Sequence, residues 1–262
     1  MIENADSIEF ALRCAAGIIR ESRKGVVLSG AGISTPSGIP DFRSTNSGLW
    51  EHANPMEVAS LLSFRYHPDV FYEWMRPLAQ KINLAEPNPA HLGLTKLQNA
   101  GYIQTIVTQN IDGLHQKAGS EHVLEMHGSM QTLTCIGCFR QYPAGNFVKP
   151  YLQNGTVPHC PDCDNILKPD LVLFGEQLPV RIWLNAQAAS KSCDLMIVAG
   201  SSLEVLPAAG LPMRALENGA HLIIINKSHT YLDVRADVVF HEDLAEIIPL
   251  IVQYVFTNDL HL

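Results

Sequence analysis

Apolar and polar positions along the chain follow two periods in turn. Ile8, Leu12, Ala15, Ile18 and Ile19 fall on one face of a helix over residues 5–22. The β-branched run Val26-Val27-Leu28-Ser29 then reads as a buried strand. Residues 45–87 hold helix-like pieces near Pro55–Leu62 and His67–Ile82 and no clear strand. Asn88-Pro89 is an N-cap followed by proline at the first helical position, which predicts a helix to about Asn99 with Gly101 just beyond its end. From there strands are predicted at Ile103–Thr108, His122–Met126, Leu195–Ala199, His221–Ile225 and Val238–Phe240. Helices are predicted at about Val180–Lys191, Pro207–Asn218 and Asp243–Val255. Strands alternating with helices predict an α/β fold, a mostly parallel sheet covered on both faces. Between Gly128 and Pro169 glycines, short β-like pieces and cysteines break the alternation, predicting a small inserted module.

Most of these apolar runs end in a polar loop. Val26–Ser29 leads into Gly30-Ala31-Gly32, Ile106–Thr108 into Gln109-Asn110-Ile111-Asp112, and Val123–Met126 into His127-Gly128. Ile197–Ala199 leads into Gly200-Ser201-Ser202, and Ile223–Ile225 into Asn226-Lys227-Ser228. In a parallel sheet such loops leave the same carboxyl edge, where ligands bind. Glycines there let backbone amides approach a phosphate. Gly30-Ala31-Gly32 is only part of a dinucleotide fingerprint, because Thr35 stands where its third glycine would fall. The run on to Phe42-Arg43 predicts a longer, mobile loop in place of a tight phosphate turn.

Charge and length narrow the class. A chain of 262 residues can bury a sizeable core, and its net charge of −8 disfavours bulk attraction to nucleic acid or anionic membrane. No apolar run reaches the roughly 20 residues of a membrane span, so the expectation is a soluble cytoplasmic protein, monomeric for lack of an apolar stripe.

Four of the six cysteines form Cys135-x-x-Cys138 and Cys160-x-x-Cys163. This double-knuckle spacing fits one tetrahedral Zn2+ whose shell is closed to water and substrate, hence structural. Two redox dithiols are the alternative, and His159 could stand in as a ligand. Arg140, Lys149 and Lys168 are too few basic groups to make the module a nucleic-acid binder. Cys14 and Cys193 read as small core residues.

Taken in order, Gly30–Ser44, Thr108–Asp112, His127-Gly128, the four cysteines, Phe174-Gly175-Glu176, Gly200–Ser202 and Asn226 resemble the sirtuin family of NAD-dependent protein deacylases over nearly the whole chain. The resemblance implies an NAD-binding Rossmann-like domain (1–44, 88–127 and 170–262), with a helical module (45–87) and a zinc module (128–169) forming a smaller domain. It implies NAD as co-substrate, structural zinc, and acetylated lysine-containing proteins or peptides as substrates, bound in the cleft between the domains.

His127 beside a glycine after a strand suits removal of a proton from a sugar hydroxyl, with an ordinary imidazole value of about 6.5. By resemblance it is the general base; a surface-turn histidine is the plain alternative. Asn110 and Asp112 match positions that hold the nicotinamide ribose, a water and the carboxamide, although Asn and Asp also favour turns. Gln109 matches a ribose contact, with Ile111 in the same stretch. Phe42 would shield the reactive sugar carbon and Arg43 pair with pyrophosphate, unless they are a core ring and a solvated cation. Gly30, Ala31, Gly32, Thr35 and Asp41 complete that loop. Gly200, Ser201, Ser202, Asn226 and Lys227 belong to the adenosine side, and Asp243 and Leu244 to adenine. Val172, Phe174, Gly175 and Glu176 alternate like an edge strand to which a peptide could add, with acyl-lysine threading past Phe174 and Val205. The same stretch could be only an interdomain link.

Relatives that prefer acidic acyl groups carry Tyr-x-x-Arg in the helical module. Here Tyr72 and Arg76 are four apart and Trp74 takes the better-aligned position, which favours an uncharged acyl group. Lys168 stands where arginine is common. An ADP-ribosyltransferase could use the same loops, and a non-enzymatic zinc-ribbon binding protein is a third reading.

Overall fold

The computed structural model describes residues 2–41 and 54–257. Its frame is a six-stranded parallel sheet of β1 (Gly25–Ser29), β2 (Ile103–Thr108), β3 (Val123–Glu125), β7 (Leu195–Ala199), β8 (His221–Ile225) and β9 (Val238–Phe240). The order is β3-β2-β1-β7-β8-β9. The chain therefore winds outward from β1 in one direction, returns, and winds outward from β7 in the other. Such a reversal opens a crevice at the carboxyl ends of the two central strands.

Alternation of side chains gives each strand two faces, and both are dry. Val27, Ile106, Ile197 and Ile223 pack under α1 (Ile2–Glu21), α5 (Pro89–Asn99) and α10 (Leu244–Phe256). Val26, Leu28, Val198, Leu222 and Ile224 face α8 (Val180–Ser192) and α9 (Leu211–Glu217). All five residues of β1 are buried, which accounts for its unbroken apolar run.

Beside the large sheet, α2 (Pro55–Val58), α3 (Leu61–Tyr66), α4 (Pro68–Leu84) and α7 (Gly145–Asn154) surround an aromatic cluster of Phe64, Phe71, Tyr72 and Tyr151. A three-stranded antiparallel sheet joins β5 (Gln141–Pro143), β4 (Gly128–Cys135) and β6 (Leu167–Leu171) in that order. Its own core is small, with Leu133, Cys135, Ala144, Cys160 and Leu167 buried. A short helix, α6 (Leu114–Lys117), follows the second polar loop.

Three predicted elements change. The helical piece at Pro55–Leu62 divides at Ser60, whose hydroxyl accepts from Ser63 N and caps α3. Residues 208–210 form a 3-10 turn before α9, so the helix starts at Leu211. The predicted edge strand at Val172–Glu176 is not one. The strand lies just before it, in β6, and the segment's amides are spent elsewhere: Val172 N on His127 O, Leu173 N on the Glu176 carboxylate, and Phe174 N on Ala59 O. Among the described residues no helix is long and apolar enough to cross a membrane.

Candidate functional site

Because the parallel strands end in register, the loops after them start at one level. Ser29 lies opposite both Thr108 and Ala199, and Ala199 opposite Ile225. The ladder then continues one residue beyond the strands. Gly30 N bonds Ala199 O at 3.0 Å, Gln109 N bonds Ser29 O at 2.9 Å, Gly200 N bonds Ile225 O at 2.9 Å, and Asn226 N bonds Phe240 O at 3.0 Å. Each polar loop is thus fastened where it leaves the sheet.

A cleft of about 470 Å³ lies over this edge. Of the residues expected at a nucleotide, Gly30, Ala31, Gly32, Thr35, Asp41, Gln109, Asn110, His127, Gly200, Ser201, Ser202, Asn226, Lys227 and Leu244 line it, as does Val205. Ile111, Asp112 and Asp243 do not. Ile111 packs toward the aromatic cluster, while Asp243 caps α10 through Ala245 N and pairs with Lys227 at 2.8 Å. That lysine holds the Asp243 carboxyl below its usual range. Phe42 and Arg43 lie outside the described residues. Ser228, in the predicted polar loop after β8, also lines the cleft, as do Glu204 and His229, which carried no signal in the sequence.

The glycine-rich loop is held from below. Ser34 is fully buried, and its hydroxyl donates to Asp112 Oδ2 at 2.7 Å and accepts from Asn110 Nδ2 at 3.1 Å. Asn110 Nδ2 also reaches Gly30 O at 3.0 Å, and Leu114 N donates to Asp112 Oδ1 at 2.9 Å. Both carboxylate oxygens of Asp112 are thereby occupied beneath the cleft, and burial still raises its pKa. Within the expected loop, residues 31–33 and 35–37 form two 3-10 turns that rest on these contacts.

His127 Nδ1 lies 2.9 Å from Gln109 O. A carbonyl only accepts, so Nδ1 carries the proton and Nε2 keeps a lone pair. Burial lowers the pKa of this imidazole, although the carbonyl contact opposes that, so the ring stays neutral over a wider range than an exposed histidine.

Below the loops lies a buried polar pair with no predicted role. His91 and His115 meet edge to face at 5.0 Å, and His115 Nε2 contacts Ser29 Oγ at 2.8 Å. Asn88 caps α5 and donates to Ile33 O at 2.7 Å, tying this helix to the glycine loop.

On the flank the four cysteines converge. Cys135 Sγ is 3.4 Å from Cys163 Sγ, Cys138 Sγ is 3.6 Å from Cys160 Sγ, and all four sulfurs lie within 4.8 Å of one another. Sulfurs around a tetrahedral Zn2+ with bonds of about 2.3 Å stand about 3.8 Å apart, so the set fits zinc. A single cluster, not two separate dithiols, is what the spacing formed. Gly137 N and Cys138 N each lie 3.4 Å from Cys135 Sγ, and Asn165 Nδ2 lies 3.4 Å from Cys163 Sγ, outer contacts of the kind that orient metal-binding sulfurs. His159 bonds Asp164 O instead of joining the cluster.

Lys168, which had no reading in the sequence, is a fastener. Its Nζ contacts Glu176 Oε2 at 3.0 Å and Leu171 O at 2.7 Å, and both side chains are largely buried. Tyr72 and Arg76 are likewise engaged: the phenol bonds Leu167 O, and the guanidinium bonds Leu152 O and Gln153 O.

Fold and cleft together define an α/β protein with a ligand site at the carboxyl edge of a doubly wound parallel sheet and a tetrathiolate module on its flank. The Sir2 family profile matches residues 30–207. The NAD-dependent protein deacylase 2 of Archaeoglobus fulgidus is 44% identical over 95% of this chain and 97% of its own length. A solved Sir2 enzyme structure superposes with a TM-score of 0.88 at 44% identity, covering 94% of this chain and 98% of that one. A Sir2 complex with a p53 peptide and NAD+ gives 0.82 at 38% identity, covering 90% of this chain and 95% of that one. The chain belongs to the Sir2 family.

Proposed function

We propose that this chain is an NAD-dependent protein-lysine deacetylase that accepts uncharged acyl groups. The observation that carries the reading is His127, with Nδ1 committed to a backbone carbonyl and the ring at a cleft walled by the Gly30–Thr35, Gln109–Asn110, Gly200–Ser202 and Asn226–Lys227 loops. The reaction consumes acyl-lysine, NAD and water, and yields lysine, nicotinamide and acylated ADP-ribose. The acyl oxygen attacks the ribose carbon as nicotinamide leaves. His127 Nε2 then takes a proton from a ribose hydroxyl, which receives the acyl group.

Gly30, Ala31, Gly32 and Thr35 receive the phosphates with Arg43, and Asp41 and Phe42 belong to the same loop. Gln109 and Asn110 face the nicotinamide ribose. Ser201, Ser202, Asn226 and Leu244 take the adenosine side, with Gly200, Lys227 and Asp243 supporting it. Asp112 works with Asn110 to hold the nicotinamide ribose, a water and the carboxamide, with Ile111 in the same stretch, while the aspartate's contacts to Ser34 and Leu114 brace the floor. A peptide lies along Val172–Glu176, with acyl-lysine beside Phe174 and Val205. The amides of Val172, Leu173 and Phe174 are already bonded, so pairing draws on the remaining backbone groups. With Tyr72 and Arg76 occupied by carbonyls, no cation is offered to an acidic acyl tail there. The cysteine quartet holds one Zn2+ that braces the β4–β6 module and takes no part in bond-making.

We read 1–44, 88–127 and 170–262 as the NAD-binding domain, and 45–87 with 128–169 as the smaller one. A monomer acting in the cytoplasm completes the proposal. Nicotinamide release from NAD, measured with and without an acetylated peptide, tests it. Release should require the acetyl group and collapse in His127→Ala. Acetyl-independent release with ADP-ribose left on protein would identify a transferase instead.

A further inference from the structure

A second group of metal-competent side chains, separate from the cysteines, lies at the cleft. Asp233, His229 and His241 bring one ligand atom each within 4.8 Å of one another, and His229 lines the cleft. We propose that these three residues bind a borderline divalent transition-metal cation of the Zn2+ or Ni2+ type, at a site distinct from the cysteine quartet.

The orientation of each group carries the argument. Asp233 Oδ1 is taken up by Thr230, whose amide and hydroxyl donate to it at 3.1 and 2.7 Å. Oδ2 is left to the two imidazoles, 3.1 Å from His229 Nδ1 and 3.5 Å from His241 Nε2. His241 Nδ1 lies 2.8 Å from Asn226 O, an obligate acceptor, and therefore carries that ring's proton. Its Nε2 lone pair is thus directed toward a carboxylate oxygen, too far for a good hydrogen bond. A proton shared by His241 and Asp233 answers that contact one pair at a time, as His229 Nδ1 does in its 3.1 Å hydrogen bond to Oδ2, whereas one divalent cation answers all three atoms at once.

Donors about 2.0–2.1 Å from one cation stand roughly 2.9–3.4 Å apart at octahedral or tetrahedral angles, close to the 3.1 and 3.5 Å that separate Asp233 Oδ2 from the two imidazoles. Two imidazoles and one carboxylate are an N2O set, which selects the borderline cations over Mg2+ or Ca2+. A carbonyl on the far nitrogen of His241 and a hydroxyl on the far oxygen of Asp233 are the outer contacts that orient metal ligands. Three protein ligands leave a position open. The Asp233 side chain is mostly buried while that of His229 is 87% exposed, so a cation reaches the site from solvent without disturbing the sheet. Its neighbours along the cleft are Asn226, Lys227 and Ser228.

The test starts from protein whose cysteine site is already loaded with zinc. Zn2+ titrated by calorimetry should bind as one further equivalent. Co2+ used in its place should give ligand-field absorption without thiolate-to-cobalt charge transfer. His241→Gln and Asp233→Asn each remove a ligand and should abolish the further equivalent. Thr230→Val keeps all three ligands and the backbone donor, and should weaken binding about 10–100-fold by removing the hydroxyl that orients the carboxylate. Cysteine-bound zinc should be unchanged in every variant, which separates loss of this site from loss of the fold. Absence of a further equivalent in the wild-type chain overturns the proposal. So does an equivalent that survives both ligand substitutions, or one indifferent to Thr230→Val.

Discussion

Gly200 is where the two central loops meet, and substituting it measures how much the cleft depends on that contact. Its φ is +69°, and a Cβ built there would stand 2.4 Å from Ile33 N and 2.7 Å from Gly32 C. These are backbone atoms, so relief requires moving the glycine loop itself. Gly200→Ala incurs the left-handed penalty, about 1–2 kcal/mol. It adds overpacking of about 1–3 kcal/mol. It also strains the 2.9 Å bond from Gly32 N to Gly200 O, worth about 1 kcal/mol. Gly219 supplies the control, since its φ is +85° and nothing lies within 4 Å of its Cβ position. Gly219→Ala therefore bears the conformational cost alone. The two variants should differ by about 2 kcal/mol or more, which is roughly 4–8 °C in Tm for a chain of this size. Because Gly30, Ala31, Gly32 and Gly200 all line the cleft, Gly200→Ala should also raise KM for NAD about tenfold or more. Gly219→Ala should leave that KM alone. Thermal melts and nicotinamide-release kinetics on both proteins decide the matter. Equal melting temperatures and equal KM values would refute the argument that loop-to-loop contact shapes the site.

Four further outcomes follow from the same contacts. Since burial lowers the His127 pKa and the base must be neutral to accept a proton, the acid limb of kcat/KM should fall below the ordinary imidazole value of about 6.5; a limb at or above it contradicts the assignment. His91 and His115 are pushed by burial down to about 4 and about 3, so their stabilisation is intact above pH 6.5 and is lost as pH falls toward those values. Stability should drop with a slope approaching about 2.7 kcal/mol per pH unit from the pair, and His115→Asn should remove about half of it. Cys163→Ala should release the zinc, seen by atomic absorption, and expose amides of β4–β6 to hydrogen exchange, because the small core there cannot stand without a tie worth about 10 kcal/mol in zinc peptides. Lys168→Met leaves the Glu176 carboxylate without its cation; a loss of about 1–3 kcal/mol and a raised KM for peptide, with KM for NAD unmoved, are expected.

Periodicity exposed the large sheet well, for a physical reason. Strands buried on both faces, such as Leu195–Ala199 and the Leu222–Ile225 stretch of β8, are apolar runs that end where the chain reaches the carboxyl edge. Capping chemistry was equally readable, since Asn88-Pro89 states the start of α5 in two residues. The small sheet was much less so. β6 contains Pro169, tolerable because the strand lies at a sheet edge, and its pattern is too short to distinguish from the alternating segment that follows. Val172–Glu176 looks like a strand by alternation, yet its amides bond His127, Glu176 and Ala59. Those partners are distant in sequence or are side chains, and no local pattern encodes them. The double Cys-x-x-Cys was legible because its ligands come in fixed pairs. His229, Asp233 and His241 are spaced irregularly, and only the fold brings them together.

The same distinction separates the contacts of Asn110 from those of Asp112, which their residue types alone could not. A polar pair after a strand can face a ligand or hold the backbone that does. Asn110 does both, lining the cleft while its amide nitrogen bonds Gly30 O and Ser34 Oγ. Asp112 has both oxygens engaged, by Ser34 and by Leu114 N, and lies off the cleft wall. These two contacts tie the carboxylate to the Ser34 hydroxyl and to the start of α6, and each oxygen keeps a further lone pair. Ser34 in turn sets the height of Gly30–Thr35 over the β1 and β7 ends. The glycine loop is therefore preorganised from Ala31 to Ser37 by polar groups buried beneath it. Binding energy from a nucleotide can then go into aligning its sugar with His127, without first having to order this part of the loop.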